Sequence, residues 1–268
     1  PPSIILYTQT QNLSITFCLI KNAREYCLGF KRMIYLNKTE ARRPKARHNP
    51  NMSDKICYII GAGECARLNF SPKAEDMVIA ADGGYEYLKR AGIRPSLTIG
   101  DFDSLPYSLE GERVIKLAPE KDDTDALYAA RLAVEAGYRN FYIYGGTGGR
   151  LAHTVANIQL LQYLAEQGGR GYLIGLNETL TVLRGGGMDF LPEAKGYISI
   201  FALNGPALGV TLKGLKYPLE NYDMSGSYPI GTSNEFTGRR AHIEVQNGSL
   251  LIIFHFEGGV LPIAQPFK

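Results

Sequence analysis

Two short acidic clusters carry more carboxylate than an ordinary turn requires: Gly100-Asp101-Phe102-Asp103-Ser104 and Asp122-Asp123-Thr124-Asp125. At about 4 Å and an effective dielectric near 20, each like-charged pair costs on the order of 4 kcal/mol before screening. A bound cation offsets that repulsion. Hard oxygen ligands that leave room for water and phosphate suit Mg²⁺, so the clusters point to a Mg²⁺–polyphosphate site. Either cluster alone also fits a smaller role, a polar turn for the first and a helix N-cap for the second. Capping needs only one residue, and Asp122 and Asp125 are spaced to share one side of a helix. One carboxylate is therefore assigned to the cap, the others to metal or substrate.

A third motif supplies a place for phosphate. Gly145-Gly146-Thr147-Gly148-Gly149-Arg150 follows an apolar run and precedes a helical one. Glycines let backbone N–H groups approach an anion, the helix adds its positive end, and Arg150 offers a forked contact to phosphate oxygen. The loop lacks the Gly-Lys-Ser/Thr of a Walker sequence. A competing signal is Gly61-Ala62-Gly63-Glu64-Cys65-Ala66 with Asp82 further on, a loose dinucleotide fingerprint that would suit an NAD-dependent dehydrogenase. Glu64 would face the pyrophosphate there, and NAD has no use for the aspartate clusters.

The elements that must position these groups alternate. Ile56–Ile60, Met77–Ala81, Leu97–Ile99, Val114–Leu117, Phe141–Tyr144 and Tyr172–Leu176 read as strands; Tyr85–Ala91, 124–136 and 153–166 read as helices. Alternation predicts an α/β domain, a mostly parallel sheet with helices on both faces, whose ligands bind beyond the strands' carboxyl ends. Asp82, Asp101 and the 145–149 loop all fall at such ends.

After about residue 177 the pattern changes to short strands: Thr179–Leu183, Gly196–Ala202, Gly209–Leu212, Ala241–Val245 and Leu250–Phe256. Gln246-Asn247-Gly248-Ser249 reads as a hairpin turn. A smaller antiparallel β-sandwich is expected over 178–268, with Gly231-Thr232-Ser233-Asn234-Glu235-Phe236 as a polar loop able to read a small ligand. The α/β domain then occupies 53–177.

Residues 1–52 read as an appended segment. The chain of 268 residues has a net charge of +3, but residues 1–51 hold nine Lys/Arg against Glu25 and Glu40, so they carry +7 and the remainder −4. A mildly acidic body excludes a broad nucleic-acid surface. Met52-Ser53-Asp54-Lys55 directly precedes the first clean strand, as a natural start at Met52 would. Cys18, Cys27, Cys57 and Cys65 form no CxxC pair; Cys57, in an apolar run, reads as a buried thiol, in keeping with a reducing cytoplasm. No apolar stretch reaches the ~18 residues of a membrane span.

Together these motifs resemble the thiamine pyrophosphokinase family. The matching residues are Asp82-Gly83-Gly84, Gly100–Ser104, Asp122–Asp125, Gly145–Arg150 with His153, and Ser233-Asn234-Glu235, in the family's order across roughly 53–257. The resemblance implies a homodimer that transfers diphosphate from ATP to the thiamine hydroxyl and releases AMP. It implies metal ligation by Asp101, Asp103 and Asp125, with Asp122 in support, and leaves open which carboxylate takes the proton. It places nucleotide phosphates on Gly145, Gly146, Thr147, Gly148, Gly149, Arg150 and His153. Thiamine falls to Asp82, Gly83, Ser104, Thr124, Ser233, Asn234 and Glu235, the last three reaching it from the partner subunit. The family's Asp before the histidine is Ala152 here, and the Trp on which some relatives stack thiamine is missing, leaving Tyr or Phe for that face. A diphosphokinase of another hydroxymethyl heterocycle, such as a pterin, would use the same aspartates with a different pocket. A non-catalytic nucleotide- or thiamine-binding module would keep the pocket alone.

Overall fold

The structure, a computed structural model, describes residues 55–65, 67–68, 70–101, 113–117, 123–256 and 261–264. The appended segment 1–52 lies outside them. The described elements run β1 (Ile56–Ile60), β2 (Met77–Ala81), α1 (Gly84–Arg90), β3 (Leu97–Gly100), β4 (Val114–Lys116), α2 (Asp125–Glu135), β5 (Asn140–Tyr144), α3 (Leu151–Glu166) and β6 (Arg170–Ile174). There follow β7 (Glu178–Phe190), β8 (Tyr197–Lys213), β9 (Leu219–Met224), β10 (Asn234–Glu235) and β11 (Ala241–His255). No helix among the described residues is long and apolar enough to cross a membrane.

All the strands join one sheet of eleven, in the order β10-β8-β11-β7-β6-β5-β1-β2-β3-β4, with β9 also on β8. The expected parallel sheet and separate sandwich meet in this sheet: β6 runs parallel to β5 and antiparallel to β7. Five pairings are parallel and five antiparallel, so the sheet is mixed rather than mostly parallel.

Strand alternation sorts the core into two clusters. Cys57 and Ile59 of β1 join Ala129, Ala130 and Ala133 of α2 and Leu160, Leu161 and Leu164 of α3. Tyr58 and Ile60 join Leu88 of α1 and the inner residues of the antiparallel half. Cys57 is buried as expected, and desolvation, followed by the Asp76 charge, pushes its thiol well above the usual range. It is an inert packing group.

The hairpin expected at Gln246–Ser249 is instead a bulge inside β11. Ala241–Val245 and Ser249–His255 both pair with β7, and the register shifts between Val245 and Ser249. The same feature shifts the β8 pairing, where Asn247 opposes Leu208 and Ser249 opposes Leu203. A bulge and a tight hairpin turn both call for a residue at positive φ, so Asn-Gly signals either one. Gly248 has φ +96, and a Cβ there would sit 2.6 Å from Pro206 O. Beside it, Gly185 and Gly186 of β7 and Asn204 and Gly205 of β8 also have positive φ. Three neighbouring strands thus bend along one line.

The bend folds the antiparallel half onto itself. Phe254 opposes Thr179, eleven residues along β7 from Phe190, and a straight strand would separate the two by roughly 36 Å. Their rings pack edge-on with centroids 5.1 Å apart. Ile243 and Val245 on one side of the bend share a core with Leu250, Ile252 and Phe254 on the other.

Candidate active site

The parallel strands β6-β5-β1-β2-β3-β4 end on one edge. The chain leaves β1 toward β2, β3 and β4, then returns to β5 on the other side of β1, so the sheet's topological switch lies between β1 and β5. Crevices at such switches are where open α/β sheets take ligands. Asp82 directly follows β2 and Asp101 directly follows β3, on adjacent strands about 4.8 Å apart. Asp82 holds φ +51, with its N–H donating to Ile99 O at 2.7 Å and its carbonyl accepting from Tyr85 N at 3.3 Å. Gly100 O accepts from Leu117 N at 3.0 Å, which ties β4 to the residue before Asp101.

Helix α2 returns from β4 to β5 and packs on β1, β2 and β3, so its first turn also stands at this edge. The sequence points to a carboxylate for the cap; the structure gives it to Thr124, whose Oγ1 accepts from Leu127 N at 3.2 Å. A hydroxyl there satisfies the free N–H without adding charge to a crowded cluster. Asp123 bonds Arg131 Nη1 at 2.6 Å and is held in an ion pair. Asp125 is the first residue of the helix. Asp103, Ser104 and Asp122 lie outside the described residues. Among the described residues no three His, Cys, Asp or Glu side chains are grouped to hold a metal; Asp101 and Asp125 offer carboxylate oxygen, the donor type that Mg²⁺ accepts.

The two glycine-rich loops at the switch are zipped together. Gly61 N–H donates to Tyr144 O and Gly63 N–H to Gly145 O, both at 2.8 Å, and Glu64 N–H donates to Thr147 O at 2.9 Å. A Cβ on Gly61 would lie 2.7 Å from Gly145 O, and one on Gly63 would lie 2.6 Å from Thr147 O. A Cβ on Gly145, at φ +62, would overlap Gly61 O, and Gly148, at φ +75, is covered by the Glu64 side chain. Several glycines that read as anion-approach residues, and those of the dinucleotide-like motif, are therefore required by loop-to-loop packing. Gly149, at φ +59, has open space around it, and Arg150, Ala152 and His153 are exposed at the start of α3. The surface of this loop offered to an anion runs from Gly148 to His153.

Two positioning groups escaped the sequence reading. Asn157, buried in α3, donates from Nδ2 to Gly146 O at 2.7 Å, and Tyr87 of α1 donates its hydroxyl to Gly63 O at 3.0 Å. A lone Asn seven residues past Arg150 in an apolar helix was the available signal. Removing that amide strands a buried carbonyl, at a cost of about 1–3 kcal/mol. Asn157→Ala is expected to speed amide hydrogen exchange across 145–149 while exchange in β7 and β11 stays as in the parent chain. Cys65 sits against the same loop; burial pushes its thiol up to about 11, against the lowering effect of the Gly145 backbone N–H.

The Ser233–Glu235 segment lies elsewhere. Asn234 and Glu235 form β10, with Ser233 just before it, at the opposite end of the sheet order from β3, eight strand steps or roughly 38 Å along the sheet. Ser233 is exposed at φ +56, with its N–H on Ser199 Oγ at 3.0 Å. Asn234 is buried and both ends of its amide are engaged: Oδ1 accepts from Tyr217 N (3.0 Å) and Glu235 N (2.9 Å), and Nδ2 donates to Tyr217 O (2.7 Å). It thereby fixes the backbone of Tyr217, a residue 57% exposed. Glu235 pairs with Lys216 at 2.5 Å.

Comparison with known proteins matches both halves. Residues 71–173 fit the family model of the thiamin pyrophosphokinase catalytic domain, and 189–250 fit that of the thiamin pyrophosphokinase vitamin B1 binding domain. The chain is 34% identical over 183 residues to the thiamine pyrophosphokinase of Bacillus subtilis, an alignment covering 65% of this chain and 85% of the relative. The crystal structure of a thiamine pyrophosphokinase from Bacillus subtilis superposes with a TM-score of 0.67 at 28% identity, covering 76% of this chain and all of the other. That from Geobacillus thermodenitrificans gives 0.67 at 29% identity, covering 77% of this chain and all of the other.

Proposed function

The chain belongs to the thiamin pyrophosphokinase family, and from that premise we propose that it transfers diphosphate from ATP to the hydroxyl of thiamine, giving thiamine diphosphate and AMP. The observation that carries the reading is the joint match of a catalytic and a vitamin B1 binding region in one chain, with the acidic strand ends inside the first and the Ser233–Glu235 loop inside the second. Residues 53–177 then serve as the nucleotide domain and 178–268 as the thiamine domain, while 1–52 take no part in the chemistry. A soluble substrate pair suits a cytoplasmic enzyme.

The substrate oxygen of the thiamine hydroxyl attacks the β-phosphorus of ATP, and the bond from that phosphorus to the α–β bridging oxygen breaks. AMP leaves with that electron pair, and the hydroxyl proton passes to a carboxylate among Asp101, Asp103, Asp122 and Asp125. Polyphosphate repels a nucleophile through its own negative oxygens, so the remaining work is charge placement and alignment. Asp101, Asp103 and Asp125 would hold Mg²⁺, which when bound neutralises that charge. Gly148, Gly149, Arg150 and His153 receive the phosphates, Arg150 by a forked contact. Asn157 holds the loop beneath them, and Tyr87 holds the Gly61–Glu64 loop that is zipped to it.

Thiamine has a permanently cationic ring, which favours an acidic, aromatic pocket. Asp82 stands beside Asp101 at the strand ends, and Tyr217 supplies the exposed aromatic face in place of the absent Trp. In one chain these groups lie at opposite ends of the sheet order, which favours a homodimer in which Ser233, Asn234 and Glu235 complete the partner's site.

The test is formation of AMP and thiamine diphosphate from ATP, Mg²⁺ and thiamine by the purified protein. Metal-dependent appearance of both in a one-to-one ratio is the expected result. Turnover with a hydroxymethylpterin alone would replace the acceptor, and binding without turnover would leave a binding module. Ser233→Ala is expected to raise the KM for thiamine by about 5- to 20-fold, the loss of one substrate hydrogen bond, and to leave that for ATP within twofold. An effect confined to ATP would remove Ser233 from the thiamine site.

A further inference from the structure

Lys216 lies between the two groups that a cationic ring would seek. Its ammonium is 2.5 Å from Glu235 Oε1 and 5.4 Å from the centroid of the Tyr217 ring. A carboxylate and an aromatic face around one positive charge make a cation site, and here the chain's own side chain fills it. The backbones on either side are fixed independently of that charge: Lys216 N donates to Glu235 O at 3.0 Å, Leu215 bridges Phe236, and Asn234 holds both backbone groups of Tyr217. All three side chains are at the surface, Lys216 at 48% and Glu235 at 37% exposure. An exposed ion pair of this kind is easily broken, because water and salt weaken it. The ammonium can therefore leave without disturbing the frame that positions Glu235 and Tyr217.

We propose that Lys216 is a built-in competitor for the cationic ring of thiamine, occupying Glu235 and the Tyr217 face in the empty enzyme and swinging out when substrate enters. The inference rests on the reading that Glu235 and Tyr217 face thiamine. A ligand that brings its own positive charge compensates Glu235 when Lys216 departs, whereas an uncharged analogue displaces the ammonium without that return. The opposite role, Lys216 merely holding Glu235 in place for substrate, predicts the opposite sign on its removal.

Lys216→Met keeps the aliphatic stem and removes the charge. Steady-state kinetics of wild type, Lys216→Met and Lys216→Arg, together with inhibition by uncharged thiochrome, separate the cases. The expected result is a KM for thiamine about 3- to 5-fold lower in Lys216→Met, in line with the loss of one exposed ion pair. The change should be carried by KM rather than kcat. Lys216→Arg keeps the competitor and should stay near the wild-type KM, and thiochrome, which must also displace the ammonium from the Tyr217 face, should bind Lys216→Met more tightly than wild type by a similar factor. A KM for thiamine that is unchanged or raised in Lys216→Met overturns the proposal, as does thiochrome binding that is not tightened with it. Wild-type protein that neither turns over nor binds thiamine would overturn the reaction itself and the latch with it; turnover by wild type with no fall in KM rejects the latch alone.

Discussion

Asp101→Asn is expected to lower kcat by about 10²- to 10³-fold, the scale on which a residue organising charge around a reacting phosphoryl group acts. The substitution keeps the volume and removes the charge. Asp101 follows β3 directly, and the strand's own pairings, Gly100 with Lys116 and Ile99 with Ala81, use backbone groups that the change leaves alone. The thermal unfolding midpoint should therefore move by only a few degrees. Asp123→Asn is the control from the neighbouring cluster. Asp123 is held by Arg131, with the arginine half-exposed, and losing such a pair costs about 1 kcal/mol or less. It should retain most turnover. Formation of thiamine diphosphate at saturating ATP, Mg²⁺ and thiamine measures both, and wild-type-like activity in Asp101→Asn would remove that residue from the site.

The contrast between Asp101 and Asp123 shows how far one-dimensional reading reaches. Strands β1 and β2 were legible to the residue because central strands buried on both faces are unbroken apolar runs. The carboxyl-end placement of Asp82 follows from the end of β2, and that of Asp101 from the end of β3. The sharing of work inside Asp122–Asp125 was not legible, since a cap, an ion pair and a ligand use the same residue types, and only the fold brings Arg131 to Asp123 and Leu127 N to Thr124. The bend through β7, β8 and β11 was hidden for a related reason. Positive-φ residues mark both turns and bulges, and the choice depends on whether the flanking halves keep their pairing partners on both sides, which is a long-range fact. Asn157 was hidden because its partner is a backbone carbonyl, which has no signature in sequence.

The same ambiguity surrounds Asp82-Gly83-Gly84, where adjacent glycines have separable duties. A Cβ on Gly84 would overlap the carbonyl oxygen of Ile60 and lie 2.5 Å from its carbon. Both are backbone atoms of β1, whose N–H and C=O groups are committed to β2 and β5, so no rotamer change relieves the clash. Either α1 moves off the sheet, drawing Leu88 from the core in which it is fully buried, or β1 moves against both neighbours. Gly84→Ala is therefore expected to cost about 3–5 kcal/mol, a large share of the 5–15 kcal/mol typical of a whole domain. It should appear as a much lower urea midpoint or as loss of soluble protein. Gly83 differs: it caps α1 at φ −58 and ψ −9, a conformation open to any L-residue. Gly83→Ala should keep the parent urea midpoint within measurement error of a fraction of a kcal/mol, so that a rise in its KM for thiamine reads as substrate contact and not as damage to the fold. If Gly84→Ala unfolds at the parent midpoint, α1 does not approach β1 as closely as its glycine implies, and the position of Asp82 beside Asp101 loses its support, because the turn that begins α1 is the turn that carries Asp82.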